Sequence, residues 1–201
     1  MKVVSLVIHP LLMPTVLFAL LVYVATPVIG SIHESKFLLL IGMVFLYTYF
    51  IPALIITVLK LTNRISSISL NDQKDRFWPF LYAIVIYGVT SYVFYAKFHF
   101  TVTATAMMGI TTLMLLLFTV INLFFKISIH AAGSSGTVGY LTALAMDNPG
   151  YPLLFPLIIM VLCTGLVISS RLYLNAHRPI EVLVGTIFGF TMCFGGLQFF
   201  L

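Results

Sequence analysis

Apolar residues run in long unbroken blocks along this chain, and polar residues are confined to short gaps between them. The blocks lie at residues 3–29, 37–59, 77–96, 102–125, 127–146, 152–169 and 179–201. Each is close to the roughly 20 mostly apolar residues that an α-helix needs to cross a bilayer. The pattern predicts an all-α fold, a polytopic transmembrane helix bundle of about seven spans, with six possible if Lys126 marks no boundary. The first block is too long for the core of a signal peptide and reads as a retained span. Among the gaps, 60–76 is the longest and reads KLTNRISSISLNDQKDR, 97–101 is tight, and DNPG at 147–150 is a turn by composition.

Punctuation inside the blocks adds detail. Pro10, Pro14, Pro52 and Pro156 fall within them, so kinks are expected there unless other groups satisfy the freed carbonyls. Pro179 suits the first turn of the last helix, where its missing N–H would have no partner anyway. Gly133, Gly136 and Gly139 recur in the fifth block, and Gly185 with Gly189 forms a GxxxG in the seventh. Such small-residue patterns predict close helix packing.

Composition closes off most alternatives. Hydrophobic residues make up 61% of the chain and charged residues 7%, against about 25% charged in soluble domains. Residues 1–201 therefore form a single integral-membrane helical domain with no room for a soluble one. Cys163 and Cys193 both fall inside predicted spans and suggest neither a disulfide scaffold nor a zinc site. The net charge of +5 sits in loops and gives no sign of a nucleic-acid partner.

Counting crossings, however, makes the charge informative. Alternation gathers Lys60, Arg64, Lys74, Arg76, Lys126, Arg171 and Arg178 on one face, together with His130, His177 and Glu181. The other face keeps Lys36, Lys97 and Asp147. Either the basic loops simply mark the cytoplasmic side, or several loops build one anion site. Histidines and a glutamate at helical spacing, in a chain with only five carboxylates, favour the site.

Three segments carry its chemistry. In His177-Arg178-Pro179-Ile180-Glu181, a carboxylate four residues on can hydrogen-bond one imidazole nitrogen and leave the other free to attack. The helix start beside it favours a bound phosphate, and Arg171 can clamp phosphoryl oxygens. In Lys126-Ile127-Ser128-Ile129-His130, Lys126 and His130 share a helical face, and a histidine at this depth needs a partner or a polar cavity. It can act as general acid to a leaving oxygen. Lys74-Asp75-Arg76, with Pro79 close behind, adds cations at the start of the third span. Together these supply a nucleophile, an acid and positive charge for phosphoryl oxygens, without the clustered carboxylates that a two-metal site wants.

The stretch SRLYLNAHRPIE resembles the third signature of the type 2 phosphatidic acid phosphatase superfamily, Ser-Arg-x5-His-x3-Asp. Ser170, Arg171, His177 and Pro179 match its spacing, and Glu181 stands where the family has Asp. The family's second signature, Pro-Ser-Gly-His, is matched by Ser128 and His130, with Ile127 and Ile129 in place of Pro and Gly. Lys74, Arg76 and Pro79 are the remnant of the first, Lys-x6-Arg-Pro, at altered spacing. His9 to Thr15, HPLLMPT, resembles the N-terminal segment of a small-protein branch of that superfamily, which also carries KIS-x-H.

The resemblance implies a metal-independent membrane phosphatase acting on a lipid phosphate or a prenyl or lipid diphosphate. His177 would form a phosphohistidine, Glu181 would orient it, and His130 would be the general acid. Arg171, Ser170, Lys126, Ser128, Lys74 and Arg76 would hold the phosphate. It implies no cofactor, membrane lipids and a lipid phosphate as partners, and a multi-pass place in a bacterial inner (plasma) membrane. A non-catalytic relative that binds or transports a lipid phosphate on the same fold is the alternative. A prenyltransferase, prompted by Asn71, Asp72 and Asp75, lacks a second aspartate-rich motif, since Asp147 is predicted on the opposite face. A retinal protein is disfavoured further, because the last span has no lysine for a Schiff base.

Overall fold

Every apolar block becomes a helical rod in the computed structural model, which describes residues 8–68, 70, 72–98 and 100–201. The start of the first predicted span and Asn71 lie outside the described residues. A 3₁₀ turn, Pro10–Leu12, leads into α1 (Met13–Val24), which continues after a break at Ala25 as the short α2 (Thr26–Ile29). The second rod joins α3 (Phe37–Phe45) to α4 (Ile51–Leu61) through a π-helical turn, Leu46–Phe50. Then come α5 (Phe77–Ala96), α6 (Val102–Phe124), α7 (Ile129–Asp147), α8 (Leu154–Tyr173) and α9 (Pro179–Gln198).

Among the described residues, five stretches are long and apolar enough to cross a membrane: Glu34–Leu61, Lys74–Ala96, Val102–Phe124, Leu154–Tyr173 and Pro179–Gln198. Their outer faces carry large exposed apolar side chains, Phe155 and Leu162 on α8 among them. A continuous apolar exterior of this kind is what lipid, not water, accommodates. The chain is thus a helical membrane bundle. Rod one is shorter, and α7 is long but carries Ser134, Ser135 and Thr137. These hydroxyls bond back to carbonyls three or four residues earlier in α7, so the helix satisfies its own polar groups while surrounded by protein.

The small residues explain why α7 lies at the centre. A Cβ placed on Gly189 would lie 2.1 Å from the Ala132 carbonyl oxygen, and one on Gly185 would lie 2.7 Å from that of Ser128. From the other side, a Cβ on Gly139 would lie 2.7 Å from the Phe190 carbonyl oxygen. The backbones of α7 and α9 therefore touch along the close-packed seam that the glycine spacing predicts.

Only one of the four prolines expected to kink a span sits deep inside one. Pro10 opens the 3₁₀ turn, and Pro14 and Pro156 lie within the first turns of α1 and α8, where no N–H is missed. Pro52 is the exception, and two adjustments accommodate it. The π turn ahead of it lets the Ile51 N–H reach back five residues to the Leu46 carbonyl. Pro52 has no N–H to give Thr48 four residues back, and the buried Tyr87 hydroxyl of α5 donates to that carbonyl at 2.9 Å.

Candidate functional site

The ends of α6 and α8 and the starts of α5, α7 and α9 meet at one end of the bundle. Backbone and side-chain bonds fix this meeting. The Ser128 N–H donates to the Glu181 carbonyl oxygen at 3.1 Å, tying the start of α7 to the first turn of α9. The Lys126 ammonium donates to the Ala176 carbonyl at 3.3 Å, tying the α6–α7 connection to the loop before α9. Gly185, one turn along α9, leaves the room in which Ser128 can approach so closely.

At the start of α9, His177 Nδ1 and Glu181 Oε2 are 2.8 Å apart, and both residues are buried. Pro179 at the first helical position sets the four-residue spacing that lets the carboxylate reach back. Burial draws the His177 pKa down from the usual 6.5 to about 4. The hydrogen bond to Glu181 opposes this shift, and the charges of Arg76, Arg171 and Lys126 reinforce it. The imidazole is therefore neutral at neutral pH. With its Nδ1–H donated to the carboxylate, it keeps the lone pair on Nε2.

Arg76, Arg171 and Lys126 come from three different connections, yet the fields of all three reach His177. Arg76 is buried at 4% exposure and held rigidly. Its Nε donates to the Leu70 carbonyl at 2.8 Å, and its Nη1 donates to Asn122 Oδ1 at 3.1 Å and to the Ile127 carbonyl at 3.2 Å. Arg171 is different: its Nε is buried and has no hydrogen-bond partner among the described residues. A guanidinium N–H withdrawn from water and left unpaired loses about 1–3 kcal/mol or more unless an acceptor is supplied. An oxyanion placed beside His177 is such an acceptor.

His130 lies on the first turn of α7, where its ring packs edge-on against His9, with centroids 5.4 Å apart. Ser128 is fully buried and caps α7, its hydroxyl accepting from the Ala131 N–H at 3.4 Å. Ser170 is fully buried as well, its hydroxyl donating to the Val167 carbonyl at 2.9 Å. Lys74 stands apart: it is exposed and lines an open groove of about 770 Å³ with Asp72, Asp75, Phe77, Asn122 and Leu123. The structure thus gathers His177, Glu181, Arg171, Lys126, Arg76, Ser128 and His130 at one end and leaves Lys74 at the rim. Asp147 closes α7 at its far end, away from Asp72 and Asp75.

Two participants are not apparent from the sequence motifs. Asn122, buried near the end of α6, anchors Arg76 and also forms part of the groove wall. His9 precedes the first helix by one turn; the HPLLMPT resemblance assigns it no role, and its physical signal is a histidine interrupting an apolar run, an expensive residue at that depth. Among the described residues, no group of three or more His, Cys, Asp or Glu side chains converges as a set of metal ligands. Comparison with protein-family models, curated proteins and solved structures finds no match to the chain.

Proposed function

We propose that this protein is a metal-independent lipid phosphate phosphohydrolase of the type 2 phosphatidic acid phosphatase kind. Its substrate is a phosphate or diphosphate monoester on a membrane lipid, and the reaction passes through a phosphohistidine. The supporting observation is the buried His177–Glu181 pair, 2.8 Å apart, reached by the charge of Arg171, whose Nε has no hydrogen-bond partner among the described residues. A neutral, oriented imidazole within the field of a cation suits in-line attack on phosphorus.

In this reading Nε2 of His177 attacks the phosphorus while Glu181 stabilises the positive charge that develops on the ring. Arg171, Arg76 and Lys126 balance the charge of the phosphoryl oxygens. The bond from phosphorus to the lipid oxygen breaks, and that oxygen takes a proton from His130. Water then attacks the phosphohistidine, its proton passes to His130, and the phosphorus–nitrogen bond breaks to release inorganic phosphate. In this reading rod one and α7 cross as well as the five long apolar stretches, and the site lies at a headgroup level. The groove beside Asn122 then serves as a sideways approach for a lipid in a bacterial plasma membrane.

The test is phosphate release by purified protein from phosphatidic acid, phosphatidylglycerol phosphate and a polyprenyl diphosphate. Wild type is expected to release phosphate with or without chelator, and His177→Ala to release none. Ile127 and Ile129 flank Ser128 where the resemblance calls for Pro and Gly, and Ile127 is fully buried. That substitution favours a second reading, a non-catalytic lipid-phosphate binder. It prevails if no substrate is hydrolysed yet one of them raises the unfolding temperature.

A further inference from the structure

Protonating a lipid alkoxide demands more of His130 than its presence, because the ring must face the leaving oxygen. The His130 imidazole belongs to the first turn of α7. The residue beside it comes from the other end of the chain. His9 lies against His130 with ring planes at 78° and centroids 5.4 Å apart, an edge-to-face contact. His9 in turn meets Tyr49 of the π turn edge-on at 5.9 Å, and Tyr49 stacks on Phe45 at 5.2 Å. The contact therefore continues into the second rod.

His9 is itself pinned by its backbone. It caps the Pro10–Leu12 turn, its Nδ1 accepting the Leu11 N–H at 3.3 Å, so the neutral ring carries its proton on Nε2. Pro10 fixes the chain that follows, and it lies directly on α7. A Cβ on Gly133 would sit 3.1 Å from the Pro10 Cβ. The glycine thus brings the turn, and with it the His9 ring, against the helix that carries His130. The charge of Arg171 also reaches His9, which puts this ring in the same polar cluster as the phosphate ligands.

We propose that His9 is a positioning residue that holds the His130 imidazole in the orientation from which it protonates the leaving oxygen. The inference rests on the phosphatase reading. His9 acts in the step where the phosphorus–oxygen bond to the lipid breaks and the His130 proton moves to that oxygen. It takes no part in the attack by His177. In kcat/KM, which covers only the steps up to departure of the leaving group, its loss therefore matters for an alkyl leaving group and hardly at all for one that departs without a proton.

The experiment compares phosphatidic acid with 4-nitrophenyl phosphate, whose phenolate is a good leaving group. His9→Ala removes both cap and ring, so His9→Asn is the informative variant: asparagine is among the preferred N-caps and supplies an acceptor for Leu11. In full-length protein, His9→Asn is expected to lower kcat/KM on phosphatidic acid by about 10²-fold, within the range of general-acid contributions. On 4-nitrophenyl phosphate its kcat/KM, which does not include hydrolysis of the phosphohistidine, is expected to fall by no more than about threefold, while His177→Ala abolishes both activities. His130→Asn should lose at least as much kcat/KM on phosphatidic acid as His9→Asn, and the double variant should lose little more than His130→Asn alone. Equal losses on the two substrates, or full activity of His9→Asn on both, overturn the inference alone. A wild-type protein that hydrolyses neither substrate overturns the phosphatase reading, and this inference with it.

Discussion

Gly189→Ala tests how closely the site depends on the seam between α7 and α9. The added Cβ would lie 2.1 Å from the Ala132 carbonyl oxygen, whereas a carbon approaches a carbonyl oxygen comfortably at about 3.3 Å. The obstacle is backbone, so no side chain can rotate away, and the helices must separate by about 1 Å at this level. Overpacking of this kind costs about 1–3 kcal/mol, against the roughly 1 kcal/mol that alanine gains over glycine in a helix interior. The net loss, up to about 2 kcal/mol, lowers the unfolding temperature by as much as about 8 °C in a chain of this size. The effect on activity is larger. Gly185 and its neighbour Ser128 lie one turn away, and the Ser128 N–H holds the Glu181 carbonyl at 3.1 Å. A displacement of about 1 Å at a reacting centre can cost about 10²-fold in rate. Thermal unfolding and phosphate release are measured beside Gly195→Ala, whose Cβ would meet nothing within 4 Å and which should be neutral or stabilising. If the two variants behave alike in unfolding temperature, the backbones of α7 and α9 are not in contact as described.

Two further outcomes follow from the same geometry. The His177 pKa lies near 4, below the usual 6.5, so the neutral nucleophile persists through the pH range in which an exposed histidine charges. The acidic limb of kcat/KM should fall only as pH drops through about 4, and the stability tied to this group should decline as pH falls from about 6.5 toward 4; a nucleophile midpoint at 6.5 would contradict the burial assigned to His177. Tyr87→Phe removes the hydroxyl that donates to the Thr48 carbonyl and should destabilise by about 1–2 kcal/mol, measured by thermal unfolding. In a Pro52→Ala background, where residue 52 regains an N–H, the loss should shrink; an equal loss in both backgrounds would show that the tyrosine does not compensate the proline.

Rod boundaries were legible because a bilayer imposes one simple rule, long apolar runs broken by charge, and few residues violate it. Lys126 proved a true break: Phe125 to Ser128 is non-helical, and Ser128 caps the next helix. The four-residue reach from His177 to Glu181 was equally readable, since it is local and set by a helix start. The long-range assignments divided. Arg76 joins the cluster because Asn122 and the Ile127 carbonyl draw it inward, while Lys74, two residues away, stays exposed. Neither partner of Arg76 can be read from the KDR segment. The contact of His9, named in the sequence only as the start of HPLLMPT, was hidden for the same reason: its neighbour His130 is remote in sequence, and only the folded turn brings the rings together. The prolines misled because membership of an apolar block does not reveal whether a residue falls in a first turn or a helix middle.

The wettest of the long helices is also the innermost, and that has a consequence for biogenesis. With serines and a threonine in its middle, α7 has less affinity for a lipid interior than its neighbours, and it leaves the ribosome before the helix whose glycines fit against it. Insertion of this segment must therefore await α9, and a nascent chain truncated ahead of residue 179 leaves α7 without its mate. The candidate site and the part of the bundle hardest to insert are completed by the same late event, so a chain that fails to assemble is also one in which the residues of that site are never brought together.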